Sequence, residues 1–148
     1  YMASELARIR GFNFPVTSTI TRNAATAPEI HEFVTAPIFF AVGVMLALVL
    51  FPQPISYASI TILALGDGFS ALFGKTLGRS IIPFNKGKHA EGSFLGFLIA
   101  FAGASLYVAP PKALLAAAVG MFVEALPLPI SDNLSVPLAS GLTLLALP

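Results

Sequence analysis

Between positions 66 and 93 the chain reads GDGFSALFGKTLGRSIIPFNKGKHAEGS, and most of its chemistry-bearing residues lie there. Asp67 interrupts an otherwise apolar run. Lys75, Arg79, Lys86 and Lys88 follow within 14 residues, interleaved with Gly74, Gly78 and Gly87. Glu91, Gly92 and Ser93 close the stretch where a second apolar run begins. Backbone N–H groups at glycines, clustered cations and carboxylate oxygens are what phosphate and Mg²⁺ handling requires. Gly68 to Thr76 spells G-x₅-G-K-T, but a Walker A loop has four residues between its glycines, so a P-loop is excluded.

Each candidate also has a plain structural reading. Asp67 lies about 12 residues, or ~18 Å, into its apolar segment at 1.5 Å per residue. A charge at such a depth in a membrane costs at least ~2.5 kcal/mol, which marks a functional residue; the alternative is an interhelical hydrogen bond or a helix break at Gly66–Gly68. Ala64, Ser70, Ala71 and Gly74 share its helical face. Glu124 reads as a metal ligand or as the ion-pair partner of a loop lysine. Asp132 and Asn133 follow the bend EALPLPIS, where both suit an N-cap or Asx-turn; the functional alternative is Mg²⁺ ligation or hydroxyl activation. His31 and His89 have no metal-ligand spacing with another histidine, and His89 reads as a solvated loop residue beside the basic cluster.

The elements that must position these residues are apolar. Of 148 residues, 56% are hydrophobic and only 10% charged, with a mean hydropathy of +0.85. Soluble domains average about 25% charged residues. The composition therefore predicts a single-domain, all-α integral membrane protein. There is no cysteine, which excludes disulfides and thiolate metal sites. The net charge of +1 gives no indication of a nucleic-acid partner, and none is expected. A polar segment at 1–32 precedes a membrane core at 33–147, with about five spanning helices near 33–51, 55–73, 94–109, 112–126 and 134–147. Prolines mark the boundaries at Pro52 and Pro54, Pro110 and Pro111, and Pro127 and Pro129. Pro37 and Pro137 are placed in first turns, where a missing N–H is harmless. Gly92, Gly96 and Ala100, and likewise Ala116, Gly120 and Glu124, recur every four residues and predict close helix packing. The chain opens on Tyr1 and closes on an apolar run, as a piece of a longer membrane protein would.

If the connections alternate sides, every charged residue except Lys112 falls on or near one face. The positive-inside rule makes that face cytoplasmic, and the basic cluster on its own reads as this orientation signal. Orientation does not explain why Asp67, Glu91, Glu124 and Asp132 gather on the same side.

The runs GDGFSALFGKTLGR, KGKHAEGS and EALPLPISDNLSVPL, in this order and at membrane-helix spacings, resemble the CTP-dependent lipid kinases. That group comprises the dolichol kinases, phytol kinases and yeast-type diacylglycerol kinases, distantly related to CDP-diglyceride synthases. The resemblance covers nearly the whole chain. It implies a multi-pass fold and transfer of the CTP γ-phosphoryl group to a membrane lipid alcohol with Mg²⁺. It also implies Asp67, Lys88, Glu91, Gly92, Ser93, Glu124, Asp132 and Asn133 as site residues. Where the family commonly has a lysine followed by serine or threonine, this chain has Lys88-His89.

On these grounds Asp67, Glu91, Asp132 and Glu124 are the expected Mg²⁺ ligands. Lys75, Arg79, Lys86 and Lys88 are expected to clamp the triphosphate, with Gly92, Ser93 and Asn133 completing the nucleotide site. Asp132 and Asp67 are the expected catalytic pair, with Asp132 activating the hydroxyl. The partners expected are CTP, a lipid alcohol, the bilayer and, in a homodimer, a second copy. Rival readings are a cytidylyltransferase that forms a CDP-lipid, and a non-enzymatic transporter or channel fragment with Asp67 as its ion site. No convincing inverted repeat supports the last.

Overall fold

The computed structural model describes residues 35–148, so the polar segment 1–32 lies outside the described residues. The chain divides into two compact units, Tyr1–Ala41 and Val42–Pro148. Of the first, residues 35–41 are described, and they form the opening turns of a helix. The candidate site belongs entirely to the second.

Among the described residues there are five helices: α1 (Ala36–Leu50), α2 (Gln53–Leu77), α3 (Ala90–Ala104), α4 (Pro110–Ala125) and α5 (Asp132–Ala146). They match the five expected apolar segments, although α2 runs four residues further and α3 starts and stops earlier. α2, at 25 residues, is long and apolar enough to cross a membrane; α1 and α3 are apolar but shorter. The structure adds one thing to an all-α plan. Between α2 and α3 the chain forms a small antiparallel hairpin, β1 (Ile81–Ile82) and β2 (Asn85–His89), turning at Pro83-Phe84.

Proline sets several of these boundaries. Pro52 precedes α2 in extended conformation and Pro54 lies in its first turn, while Pro110 and Pro111 open α4. Their missing N–H groups fall where a helix has no acceptor to lose. Pro137 departs from expectation. It is the sixth residue of α5, in the second turn, so its ring nitrogen cannot make the regular i→i−4 hydrogen bond to the carbonyl of Asn133. α1 passes that carbonyl at Gly43, where a side chain would collide with it.

α2 does not break at Gly66–Gly68. It widens into a π-helical turn over Ile62–Asp67 and resumes as α-helix from Gly68. The π-turn packs against α3, α4 and α5; the part of α2 after it, Gly68–Leu77, lies along α3, and the part before it, Gln53–Thr61, packs mainly against α5. The α2–α3 seam is built on backbone contact. A Cβ on Gly92 would stand 2.5 Å from the Ser70 carbonyl, and one on Gly96 would stand 2.6 Å from that of Gly66. Small residues here let two helices approach closely enough to bring their polar side chains together. The buried core beside the seam is Ala58, Ile62, Leu63, Ala100, Ala104, Ala113, Ala116, Ala117, Val136 and Leu144.

Candidate active site

A pocket of about 160 Å³ opens along α2 from Asp67 to Lys75, walled by Gly87, Lys88 and His89 of β2 and by Glu124 of α4. Asp67 is the final residue of the π-turn, ten residues or about 15 Å from the end of α2. Ser70 and Gly74, one and two turns further on, continue the same pocket wall.

Lys88 is the centre of the arrangement. β2 carries it inward, and its Nζ lies 2.8 Å from Glu124 Oε1 and 2.6 Å from Asp132 Oδ2. The same ammonium donates to the Glu124 carbonyl oxygen at 2.6 Å. A lysine has three N–H donors, and these three acceptors use all of them. Burial pulls the Lys88 pKa down, but hydrogen bonds from its ammonium to Asp132 and Glu124 outweigh it and hold the group above the ordinary lysine value. Lys88 is therefore a fixed positive charge. It sits where α4 ends and α5 begins, and it complements both the exposed carbonyls of α4 and the carboxylate at the start of α5.

Glu124 is buried, at 2% exposure, and both carboxylate oxygens are engaged. Ser70 Oγ donates to Oε1 at 3.0 Å and Ser93 Oγ to Oε2 at 3.4 Å. One carboxylate thus joins α2, α3, α4 and β2. Of its two sequence readings, the ion pair with a loop lysine is the one observed. Asp132 is the first residue of α5, preceded by Ser131 in the cap position. Its carboxylate reaches Lys88, and the N-cap position that its local sequence also suggested is held by Ser131. Asn85 Nδ2 bonds the Ala125 carbonyl at 3.1 Å and fastens the hairpin to the end of α4.

The other expected site residues divide. Lys75 lines the pocket. Ser93 reaches it through Glu124, and Asn133 is the second residue of α5 beside Asp132. Gly92 lies instead in the α2–α3 seam, where its contacts are packing contacts. Arg79 and Lys86 are exposed and lie outside the pocket wall. Glu91 turns away from the pocket. Its carboxylate accepts the backbone N–H groups of Arg79 at 3.2 Å and Ser80 at 3.1 Å. Its own N–H, the Ser80 hydroxyl and N–H, and the Arg79 N–H together lower its pKa to about 2. Ser70 enters the pocket without having been singled out for it, and His89, weighed as a phosphate contact but read as a solvated loop residue, also lines it. Ser70, three residues beyond Asp67, carried the signal in its shared helical face.

Among the described residues, no three carboxylates or histidines form a ready cage for a metal ion. Mg²⁺ commonly takes only one or two protein carboxylates and completes its octahedron with water and substrate phosphates. Asp67 and Asp132, hard oxygen donors flanking Lys88, fit that pattern; Glu91, held by the loop, does not.

Comparison with known proteins agrees with the resemblance carried by the motifs. The chain is 32% identical to a probable chloroplastic phytol kinase 3 of Glycine max, over 76% of this chain and 41% of that protein. It is 26% identical to a probable chloroplastic phytol kinase of Triticum aestivum and to chloroplastic phytol kinase 1 of Arabidopsis thaliana, each over 89% of this chain and 50% of the relative. The chain thus spans about half the length of the curated relatives it matches. No family model and no solved structure matches it significantly. None of these relatives is a CDP-diglyceride synthase, so the distant link to that branch is not supported by them. The buried Glu124, the fixed Lys88 and the carboxylates of Asp67 and Asp132 lie on the motifs that carry the resemblance, and with phytol kinases as relatives over most of its length the chain belongs to the CTP-dependent lipid kinase family.

Proposed function

We propose that the chain forms the catalytic core of a kinase that transfers the γ-phosphoryl group of CTP to a long-chain lipid alcohol of the phytol type. The observation that carries this reading is the Asp67–Lys88–Glu124–Asp132 cluster, set at one end of an apolar helix bundle. A lipid alcohol presents its hydroxyl at the headgroup level, whereas a nucleoside triphosphate arrives from water. A kinase joining the two needs a charged pocket that opens beside apolar helix surface. The bundle is read as a multi-pass membrane domain with this pocket on its positively charged, cytoplasmic face. The relatives named above are chloroplastic, and in a plastid the equivalent face is stromal.

Phosphoryl transfer depends mostly on positioning and charge neutralisation. Asp67 and Asp132 would hold Mg²⁺, which when bound neutralises charge on the triphosphate. Lys75, exposed at the pocket rim, meets the phosphate oxygens. Lys88 has its donors directed to protein oxygens, so it acts by fixing Glu124 and Asp132 and by lending the pocket a permanent positive charge. Asp132, at 30% exposure, is far more open to an incoming alcohol than Glu124 at 2%. Asp132 accepts the hydroxyl proton as the alcohol oxygen attacks the γ-phosphorus and the bond to the β–γ bridging oxygen breaks, releasing CDP.

Incubation with γ-labelled CTP and a set of alcohols tests the reading. Label recovered in the lipid is the expected result, with phytol-like alcohols favoured over polyprenols and diacylglycerol. Label in pyrophosphate would assign a cytidylyltransferase. Label in neither product would overturn an enzymatic role.

A further inference from the structure

We propose that the β1–β2 hairpin, together with the 126–131 loop, is a surface that docks on anionic lipid headgroups and holds the pocket mouth at the bilayer interface. The proposal rests on the membrane reading above.

The hairpin tip is apolar and uncovered. Phe84, beside Pro83 at the turn, and Ile81, at the start of β1, are each 56% exposed. The loop after α4 presents Leu128 and Ile130, at 40% and 57% exposure. The Asn85–Ala125 hydrogen bond ties the two loops together, so they form one rim. Exposed side chains along the helices are accounted for by lateral contact with lipid tails. These four are different, because they project from loops beyond the helix ends, at the charged end of the molecule. In water, such a rim would leave large apolar side chains solvated with no compensation.

The cations on the same loops indicate what covers the rim. Arg79 and Lys86 lie outside the pocket wall, and among the described residues neither side chain has an ion pair or hydrogen bond. Lys88, two residues from Lys86 on β2, has all its donors satisfied. Lys88 is thus taken up by the site, whereas Arg79, just before the hairpin, and Lys86, on it, are exposed near Ile81 and Phe84 in the chain. Apolar side chains that enter the interface, with basic residues beside them facing the headgroups, suit an anionic lipid surface.

The chain contains no tryptophan, so Phe84→Trp gives a single fluorophore at the hairpin tip. In the 148-residue chain reconstituted into vesicles, its emission should be blue-shifted. Lipid brominated near the headgroup end of the acyl chain should quench it, and aqueous iodide should not. Ile81→Trp serves as a second reporter should the first variant fold poorly. Replacing both Arg79 and Lys86 with glutamine should lower the docked-to-free ratio about 30-fold in phosphatidylserine vesicles and leave it unchanged in phosphatidylcholine, from about 1 kcal/mol per basic residue near such a surface. Iodide quenching without bromolipid quenching would overturn the proposal. So would a blue shift that neither quencher affects, because protein would then cover the tip. A loss of CTP affinity in the double variant with docking unchanged would return Arg79 and Lys86 to the nucleotide. None of these readouts requires turnover, so the docking surface and the kinase reading can fail separately.

Discussion

Replacing Lys88 with methionine tests the logic of the pocket most directly. Methionine keeps much of the length and apolar stem of lysine but removes the charge and all three donors. Glu124 is then left 2% exposed and without its cation, held only by the Ser70 and Ser93 hydroxyls. Removing one partner of a buried pair costs about 3–5 kcal/mol. Lys88 itself is 20% exposed and the two serines remain, which places the loss near the lower end, at about 3 kcal/mol. Asp132 can turn to water and adds under ~1 kcal/mol. Combining Lys88→Met with Glu124→Gln removes the stranded charge and should recover about 2 kcal/mol as coupling between the two sites. Reversible unfolding of the four proteins in mixed micelles measures the cycle. The same variants separate two roles for the lysine. A positioning lysine lowers kcat with little change in CTP affinity, whereas a phosphate clamp would weaken CTP about 10- to 150-fold. A Lys88→Met protein within ~0.5 kcal/mol of the parent, or a cycle additive to that level, would refute the arrangement.

Other outcomes follow from the same geometry. Asp67→Asn keeps the shape of the side chain and loses its charge; turnover should be abolished while the unfolding midpoint stays within a few degrees, and retained activity would reduce Asp67 to a packing residue. Gly92→Val should force α2 and α3 apart, because the added Cβ would meet the Ser70 carbonyl at 2.5 Å; a loss of about 1–3 kcal/mol or more is expected in the same unfolding assay. Glu91, with its pKa lowered to about 2, contributes stability that is fully present above its ordinary value of 4.5 and disappears as pH falls through 2. Glu91→Gln should accordingly be less stable than the parent from pH 5 to 8, and the two proteins should converge as pH is lowered from 4.5 toward 2; a gap that persists at the acid end would count against the loop contact. Lys75→Gln should weaken CTP about 10- to 150-fold with the fold unchanged, as loss of a charge-assisted phosphate contact predicts.

The sequence by itself determined the elements and the cast of residues. The apolar runs are long, and prolines at 52, 54, 110 and 111 stop or start helices through a local steric rule, so boundaries could be read within a few residues. The glycine spacing at 92 and 96 announced a close helix contact, because the absence of a side chain is itself a local fact. Asp67, Lys88, Glu124 and Asp132 stood out for the same reason: charge is rare in this chain, so each instance is informative. The hairpin was not legible. Its strands of two and five residues are too short to show an alternating pattern among basic and polar residues.

What only the tertiary structure decided is which of these residues meet. Lys88 and Glu124 are 36 positions apart, and Lys88 and Asp132 are 44. Glu91, three residues from Lys88 in sequence, turns to the Arg79–Ser80 backbone instead. Proximity along the chain favoured Glu91, but the first turn of α3 aims it at the loop, whereas Glu124 is carried in at the far end of α4. The π-turn at Ile62–Asp67 adds a register change that no residue pattern announced. It depends on how α2 fits three other helices at once, and on such a fit rests the side of the helix to which Asp67 is presented.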